Sequence, residues 1–251
     1  MTGNVEIVVH RDADVLAAAT AARLVTVLVD VQAAGRVPRI ALTGGGSGIA
    51  LLAQVNESPA RDAVDWRRVE IFWGDERFVP LDDSERNEKQ ARDALLDHIP
   101  LDPALVHAMA ASDGEFGPDV DAAATAYASD LGGAGFDVVM LGMGPEGHVA
   151  SIFPDSPAVH ADRPVVAVRD CPKPPPTRIS LTLPTIRTAE QVWLITGGEG
   201  KADAVAQAFN GANETDLPAA GAIGTARTLF LLDIGSAGAL PPAERARATG
   251  A

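Results

Sequence analysis

The chain has 251 residues, 47% of them hydrophobic, and a formal net charge of −14. That length can bury a full core, so one α/β domain is expected over residues 1–251. The acidic balance repels nucleic acid and anionic membranes at long range, which excludes both as partners. The most apolar runs, Val138–Leu141 and Leu229–Leu232, have strand length, so no membrane span is expected. Met1-Thr2-Gly3-Asn4 shows no basic region leading into an apolar core, and Cys171 is the lone cysteine. These features point to a cytoplasmic protein without disulfides or a thiolate metal cage, and a monomer is the default expectation.

Val5–Val9 predicts a first strand, followed by a long Ala-rich helix capped by Asp12 or Asp14 and stopped at Gly35. Arg39–Leu42 is a second strand. It runs into the Gly-rich turn Thr43–Gly48 and a helix to about Asn56. Val69–Trp73 predicts a third strand, then a long loop and a helix from Glu85 to Leu96. A helix over Pro118–Leu131 precedes the strongest core strand, Phe136–Leu141. Strands follow at Val165–Val168, Ile179–Leu183, Gln191–Ile195 and Thr228–Leu232, with a helix at Gly200–Phe209. The rigid Pro172–Pro176 loop is expected to return the chain to the same sheet. Residues 234–251, rich in Ala, Gly and Pro, predict a frayed tail. The strand–helix alternation predicts an α/β fold: a Rossmann-like, mostly parallel sheet with helices on both faces.

Four segments carry candidate chemistry. In Thr43-Gly44-Gly45-Gly46-Ser47-Gly48, consecutive glycines let backbone N–H groups converge on an anion at a helix N-terminus. No Lys-Ser/Thr follows, so this is not a P-loop, and the glycine spacing does not suit a dinucleotide. In Trp73-Gly74-Asp75-Glu76-Arg77, charges lie just past a strand end, where open α/β sheets place ligands. Arg77 is the candidate for a ligand oxyanion, with Asp75 beside it.

The sharpest segment is Gly142-Met143-Gly144-Pro145-Glu146-Gly147-His148. A buried strand delivers His148, whose imidazole suits proton transfer near neutral pH, onto a Gly-Pro turn. Glu146 can set its tautomer, and backbone N–H groups from Gly144 to His148 could face a developing oxyanion. No second His or Cys stands at ligand spacing, so no metal is expected. No Gly-x-Ser-x-Gly elbow surrounds Ser151, which argues against a serine nucleophile. The fourth segment pairs Arg178, opening a strand, with Lys201, opening a helix. A cation at a helix N-terminus opposes the dipole unless an anion joins it. The chain has three lysines, Lys89, Lys173 and Lys201, so the setting of each is informative.

Taken in this order, the segments resemble the glucosamine-6-phosphate isomerase/6-phosphogluconolactonase family. The most specific parts are Trp73–Arg77 with Asn87 downstream, and Gly142–His148 ending at Phe153-Pro154. Arg178–Thr182 and Gly200-Lys201-Ala202 also match. The resemblance implies the sugar-phosphate isomerase/deaminase scaffold, with 6-phospho-D-glucono-1,5-lactone as substrate and no metal or organic cofactor. It implies His148 as catalytic base. It leaves Thr43, Gly44, Gly45, Arg77, Arg178 and Lys201 to contact phosphate or sugar oxygens. Many members carry Asp where Glu146 stands, so the carboxylate here sits on a longer stem. The rival on the same scaffold, a glucosamine-6-phosphate deaminase/isomerase, carries a Phe-Asn-Glu-Pro type sequence after its Gly-His turn. Here that stretch is Ala150-Ser151-Ile152-Phe153-Pro154, without the Asn-Glu pair. A non-catalytic sugar-phosphate binder would keep the cations without needing His148.

Overall fold

The computed structural model describes residues 4–244. Strand β1 (Asn4–His10) leads to α1 (Ala13–Ala33), whose first turn is capped by the Asp12 carboxylate accepting from the Val15 N–H at 2.8 Å. Leu16, Leu24, Leu28 and Val31 bury one face of α1. The chain then leaves the helix through Gly35 at φ +79°, a left-handed conformation open to glycine. Next come β2 (Arg39–Leu42), α2 (Gly45–Glu57), β3 (Glu70–Trp73), β4 (Asp75–Arg77) and α3 (Asn87–Ala94). After α4 (Val120–Asp130) and β5 (Val138–Gly142) the chain forms β6 (Val165–Val168), β7 (Arg178–Leu181) and the short α5 (Leu183–Ile186). It finishes with β8 (Gln191–Thr196), α6 (Ala202–Phe209) and β9 (Arg227–Asp233).

Six strands form a parallel sheet in the order β1-β9-β8-β5-β2-β3. The expected α/β architecture is therefore present. Val138, Val139, Met140 and Leu141 are fully buried, as a central parallel strand covered by helices requires. The connection from β2 runs outward to β3, whereas that from β5 runs the other way to β8. The crevice between β2 and β5 is thus the topological switch point, where open sheets bind ligands beyond the strand C-termini. At that point Thr43 Oγ1 accepts the Gly142 N–H at 3.1 Å and joins the two strand ends.

Two expectations need correction. The strand after the prolines does not rejoin the main sheet. β4, β7 and β6 form a separate antiparallel sheet, in which Asp75 faces Ser180 and Arg77 faces Arg178. Pairing partners are set by contacts distant in sequence, and Val165–Val168 and Arg178–Leu181 carry no mark of which sheet they join. The second correction concerns the tail. The start of that stretch is anchored rather than frayed: Ser236, Ala237 and Leu240 are buried, and Ser236 Oγ donates to the Thr196 carbonyl at 2.7 Å, while residues 241–243 are exposed. Residues 245–251, the rest of the expected tail, lie outside the described residues, as do residues 1–3. Among the described residues, no helix is long and apolar enough to cross a membrane.

The junction of β4 with α3 rests on Glu76. Its buried carboxylate accepts the N–H groups of Arg77, Asn87 and Glu88 at 2.7–2.8 Å, with Arg86 at 3.8 Å. Burial pushes the Glu76 carboxyl up to about 7, against the pull of Arg86 and those N–H groups. Replacing Glu76 by Ala strands three buried backbone donors and leaves Arg86 to Glu88 and the Met109 carbonyl. We predict a loss of about 3 kcal/mol or more, read as a melting temperature several degrees lower. An unchanged melt would show that these contacts carry no stability.

Candidate functional site

The switch-point crevice opens into a cavity of about 290 Å³, near the lower end of small-molecule sites. Its floor is the start of α2. Gly44 is the N-cap and no side chain caps the helix, so the first-turn N–H groups remain available to an anion. Thr43, Gly44, Gly45, Asp75, Arg77, His148, Arg178 and Lys201 all border this one cavity. Sequence reasoning placed them in four separate segments. Arg77, Lys173, Arg178 and Lys201 give the lining four cations against one acid, Asp75. A chain of net charge −14 thus holds a local positive focus.

The glycines serve close approach. A Cβ on Gly44 would overlap the Asn87 side-chain oxygen, and one on Gly144 would overlap the His148 ring. Asn87, buried at the head of α3, donates through Nδ2 to the Asp75 carbonyl at 2.8 Å. It therefore clamps the Gly44 turn to β4.

His148 is turned so that Nδ1 lies 3.0 Å from Glu146 Oε1. Phe153 stacks on the imidazole with centroids 4.4 Å apart. The side chain is 16% exposed, so solvent still reaches it. Burial holds the imidazole pKa below its ordinary value. Lys173 adds to that effect, while Glu146 and Asp75 oppose it. Burial also pushes the Glu146 carboxyl up, but its own backbone N–H, Lys173 and His148 outweigh this and leave it lowered. Lys201 reaches the Met143 carbonyl, and its ammonium pKa is lowered by burial and by Lys173.

Two details differ from the sequence reading. The N–H groups of Gly144 and Gly147 are bonded inside the turn, to the carbonyls of His148 and Gly144 at 3.0 Å each. They are therefore not open to an oxyanion. Arg178 donates to the carbonyls of Lys173, Pro174 and Pro175 at 3.0–3.2 Å, so its guanidinium braces the proline loop at the cavity wall. Lys201 ends a 3-10 turn over Glu199–Lys201 and is the N-cap of α6, so it stands at the helix start as expected. Arg77 donates through Nη1 to the Glu85 carbonyl at 2.5 Å, while its Nε has no partner.

Lys173 is the residue that sequence reasoning missed. Its ammonium lies 2.9 Å from Glu146 Oε1 and 3.4 Å from His148 Nδ1. The available signal was the scarcity of lysine, but nothing in a run of prolines says where its neighbour points. Ser151, set aside as a nucleophile, is fully buried and donates to Asp75 Oδ2 at 2.6 Å.

A ligand-sized, cation-lined crevice at the switch point of an open parallel sheet defines a doubly wound α/β binding protein. Comparison with known proteins narrows this. The profile for glucosamine-6-phosphate isomerases/6-phosphogluconolactonase matches residues 11–230, and the chain belongs to that family. It is 55% identical to a 6-phosphogluconolactonase of Streptomyces coelicolor, covering 96% of this chain and 97% of that one. It is 52% identical to a 6-phosphogluconolactonase of Mycobacterium tuberculosis, over 96% and 100% of the two chains. The structure of 6-phosphogluconolactonase from Trypanosoma brucei superposes with a TM-score of 0.79 at 28% identity, over 96% of this chain and 100% of that one.

The Gly44–Asn87 contact yields a test. Gly44→Ala must displace a buried, hydrogen-bonded amide, so it should weaken 6-phosphogluconate binding at least tenfold and lower the melting temperature. Adding Asn87→Ala relieves the overlap, so the double variant should lose less than the sum of the singles. Strict additivity would show that the two residues do not press on each other.

Proposed function

We propose that this protein hydrolyses 6-phospho-D-glucono-1,5-lactone to 6-phosphogluconate, the lactone-opening step of the oxidative pentose phosphate pathway. The names of its relatives, at more than half identity over nearly the whole chain, support the reaction. The observation that carries the mechanism is His148: solvent-reachable, neutral-leaning, and fixed by Glu146 at the wall of a cation-lined cavity. The substrate is a small phosphorylated lactone, the setting is the cytoplasm, and a monomer supplies every residue invoked.

The phosphate docks at the uncapped start of α2, between Gly44, Gly45 and Lys201. Thr43 shapes that corner while its hydroxyl holds Gly142. The lactone ring then lies towards His148. With Nδ1 facing Glu146, Nε2 carries the lone pair. Nε2 takes a proton from water as the water oxygen bonds to the carbonyl carbon. Arg77 stabilises the resulting oxyanion, its Nε being without a protein partner while the Gly144 and Gly147 N–H groups are bonded inside the turn. As the tetrahedral centre collapses, the bond to the ring oxygen breaks and the imidazolium passes its proton to that oxygen. The products are a hydroxyl and a carboxylic acid, which ionises. A lactone is an activated ester, so positioning and one base suffice.

Deaminase chemistry fits less well. Five residues past His148 the chain places Phe153 flat against the ring, and a phenyl group transfers no proton.

His148→Ala should lower kcat by about 10²–10⁴-fold while 6-phosphogluconate binding persists, measured on freshly prepared lactone. Wild-type turnover in that variant, or ammonia release from glucosamine 6-phosphate by the native protein, would overturn the reading. The pH profile gives a second check. A base works deprotonated, and burial lowers the pKa of His148. The acid limb of kcat/KM should therefore fall below the ordinary imidazole midpoint, with activity flat through neutral pH. A midpoint above that value would contradict the assignment.

A further inference from the structure

A general base that is also oriented by a carboxylate faces a conflict. A carboxylate at 3.0 Å fixes the ring but also stabilises the imidazolium, and a histidine that holds its proton cannot accept one from water. The structure contains a group placed to resolve this conflict. Lys173 Nζ meets both oxygens of Glu146, Oε1 at 2.9 Å and Oε2 at 3.1 Å, and lies 3.4 Å from His148 Nδ1. A protonated imidazole would therefore stand against an ammonium at contact distance.

Building on the reading of His148 as the base, we infer that Lys173 is a positioning residue. It shares the charge of Glu146, so that the carboxylate orients the imidazole without locking a proton onto it. The lysine is held for this task. Its own carbonyl, with those of Pro174 and Pro175, is gripped by the buried guanidinium of Arg178, and Arg178 lies 3.8 Å from Asp75. The placement of the ammonium is thus tied to the same strand pair that frames the cavity.

The other charged groups around His148 are consistent with this division. Asp75, on β4, favours the imidazolium from further off, and its carboxylate is engaged by Ser151 and Arg178. Lys201, in the turn before α6, interacts with both Lys173 and Glu146. Phe153 covers one ring face without charge. Lys173 is the nearest cation to Nδ1 in this set. The same contact speeds the second half of the reaction, because an imidazolium beside an ammonium gives up its proton readily to the departing ring oxygen.

The test follows His148 by NMR titration in the free protein, comparing wild type, Lys173→Met and Lys173→Arg, alongside the pH dependence of kcat/KM. In Lys173→Met the titration midpoint should rise by about one unit or more, and the acid limb of kcat/KM should move with it. Lys173→Arg, which keeps the charge, should titrate close to wild type. An unmoved His148 midpoint in Lys173→Met would overturn the inference. So would a loss of kcat/KM equal at every pH and confined to KM, which would make Lys173 a substrate contact only. The titration needs no turnover, so its failure is separable from failure of the base assignment, which the His148→Ala assay reads.

Discussion

The carboxylate of Asp75 is the point on which the cavity depends. Its Oδ2 accepts the Ser151 hydroxyl at 2.6 Å and lies 3.8 Å from Arg178, while Asn87 reaches its Oδ1 at 3.4 Å and its carbonyl at 2.8 Å. Four walls meet there. Ser151 belongs to the chain leaving His148, Arg178 carries the proline loop, Asn87 presses on the Gly44 turn, and Asp75 itself sits on β4. A charge this buried is tolerated only when its oxygens are satisfied, and here each satisfied bond fixes a different segment. Asp75 borders the cavity, yet its carboxylate is engaged by protein groups.

Electrostatics follow from the same economy. The chain carries a strong negative excess, so an anionic ligand is attracted only where cations and helix N–H groups converge. The α2 start and Lys201 both line the crevice. The triad of Lys173, Glu146 and His148 supplies mixed charge at a second wall. In the proposed reaction the first serves a fixed anion and the second a proton that must come and go.

Most of the fold was legible because its strands are short apolar runs ended by Gly, Asp or Thr, and its helices carry caps such as Asp12. The Arg39–Leu42 and Val165–Val168 strands appear with the boundaries their β-branched and apolar residues suggest. The antiparallel sheet was not legible. Asp75-Glu76-Arg77 has no strand-like pattern, and its pairing with Arg178–Ser180 bridges a hundred residues. The site was legible as separate motifs, since glycine clusters and a histidine at strand ends have a mechanism behind them. Lys173 was not, because its role depends on Arg178 folding the proline loop back over Glu146. The packed segment after Ile234 was hidden for a related reason: small residues such as Ser236 and Ala237 look the same in a core turn as in a loose end.

The order of the main sheet places β9 between β1 and β8, with β1 on the outer edge. Strand β1 therefore has no sheet neighbour until β9 is made, more than two hundred residues later. Asp233, at the end of that last strand, also receives the Gly198 N–H at 2.9–3.0 Å and so fixes the corner that carries Lys201. During synthesis the nascent chain can assemble β2, β3, β5 and α2 early, but the edge and the Lys201 corner must wait for the C-terminal residues. A ribosome stalled before residue 227 would hold four of the six strands as neighbours, β8-β5-β2-β3, with β1 orphaned. The cavity corner at Lys201 thus depends on β9, the same strand that pairs with β1.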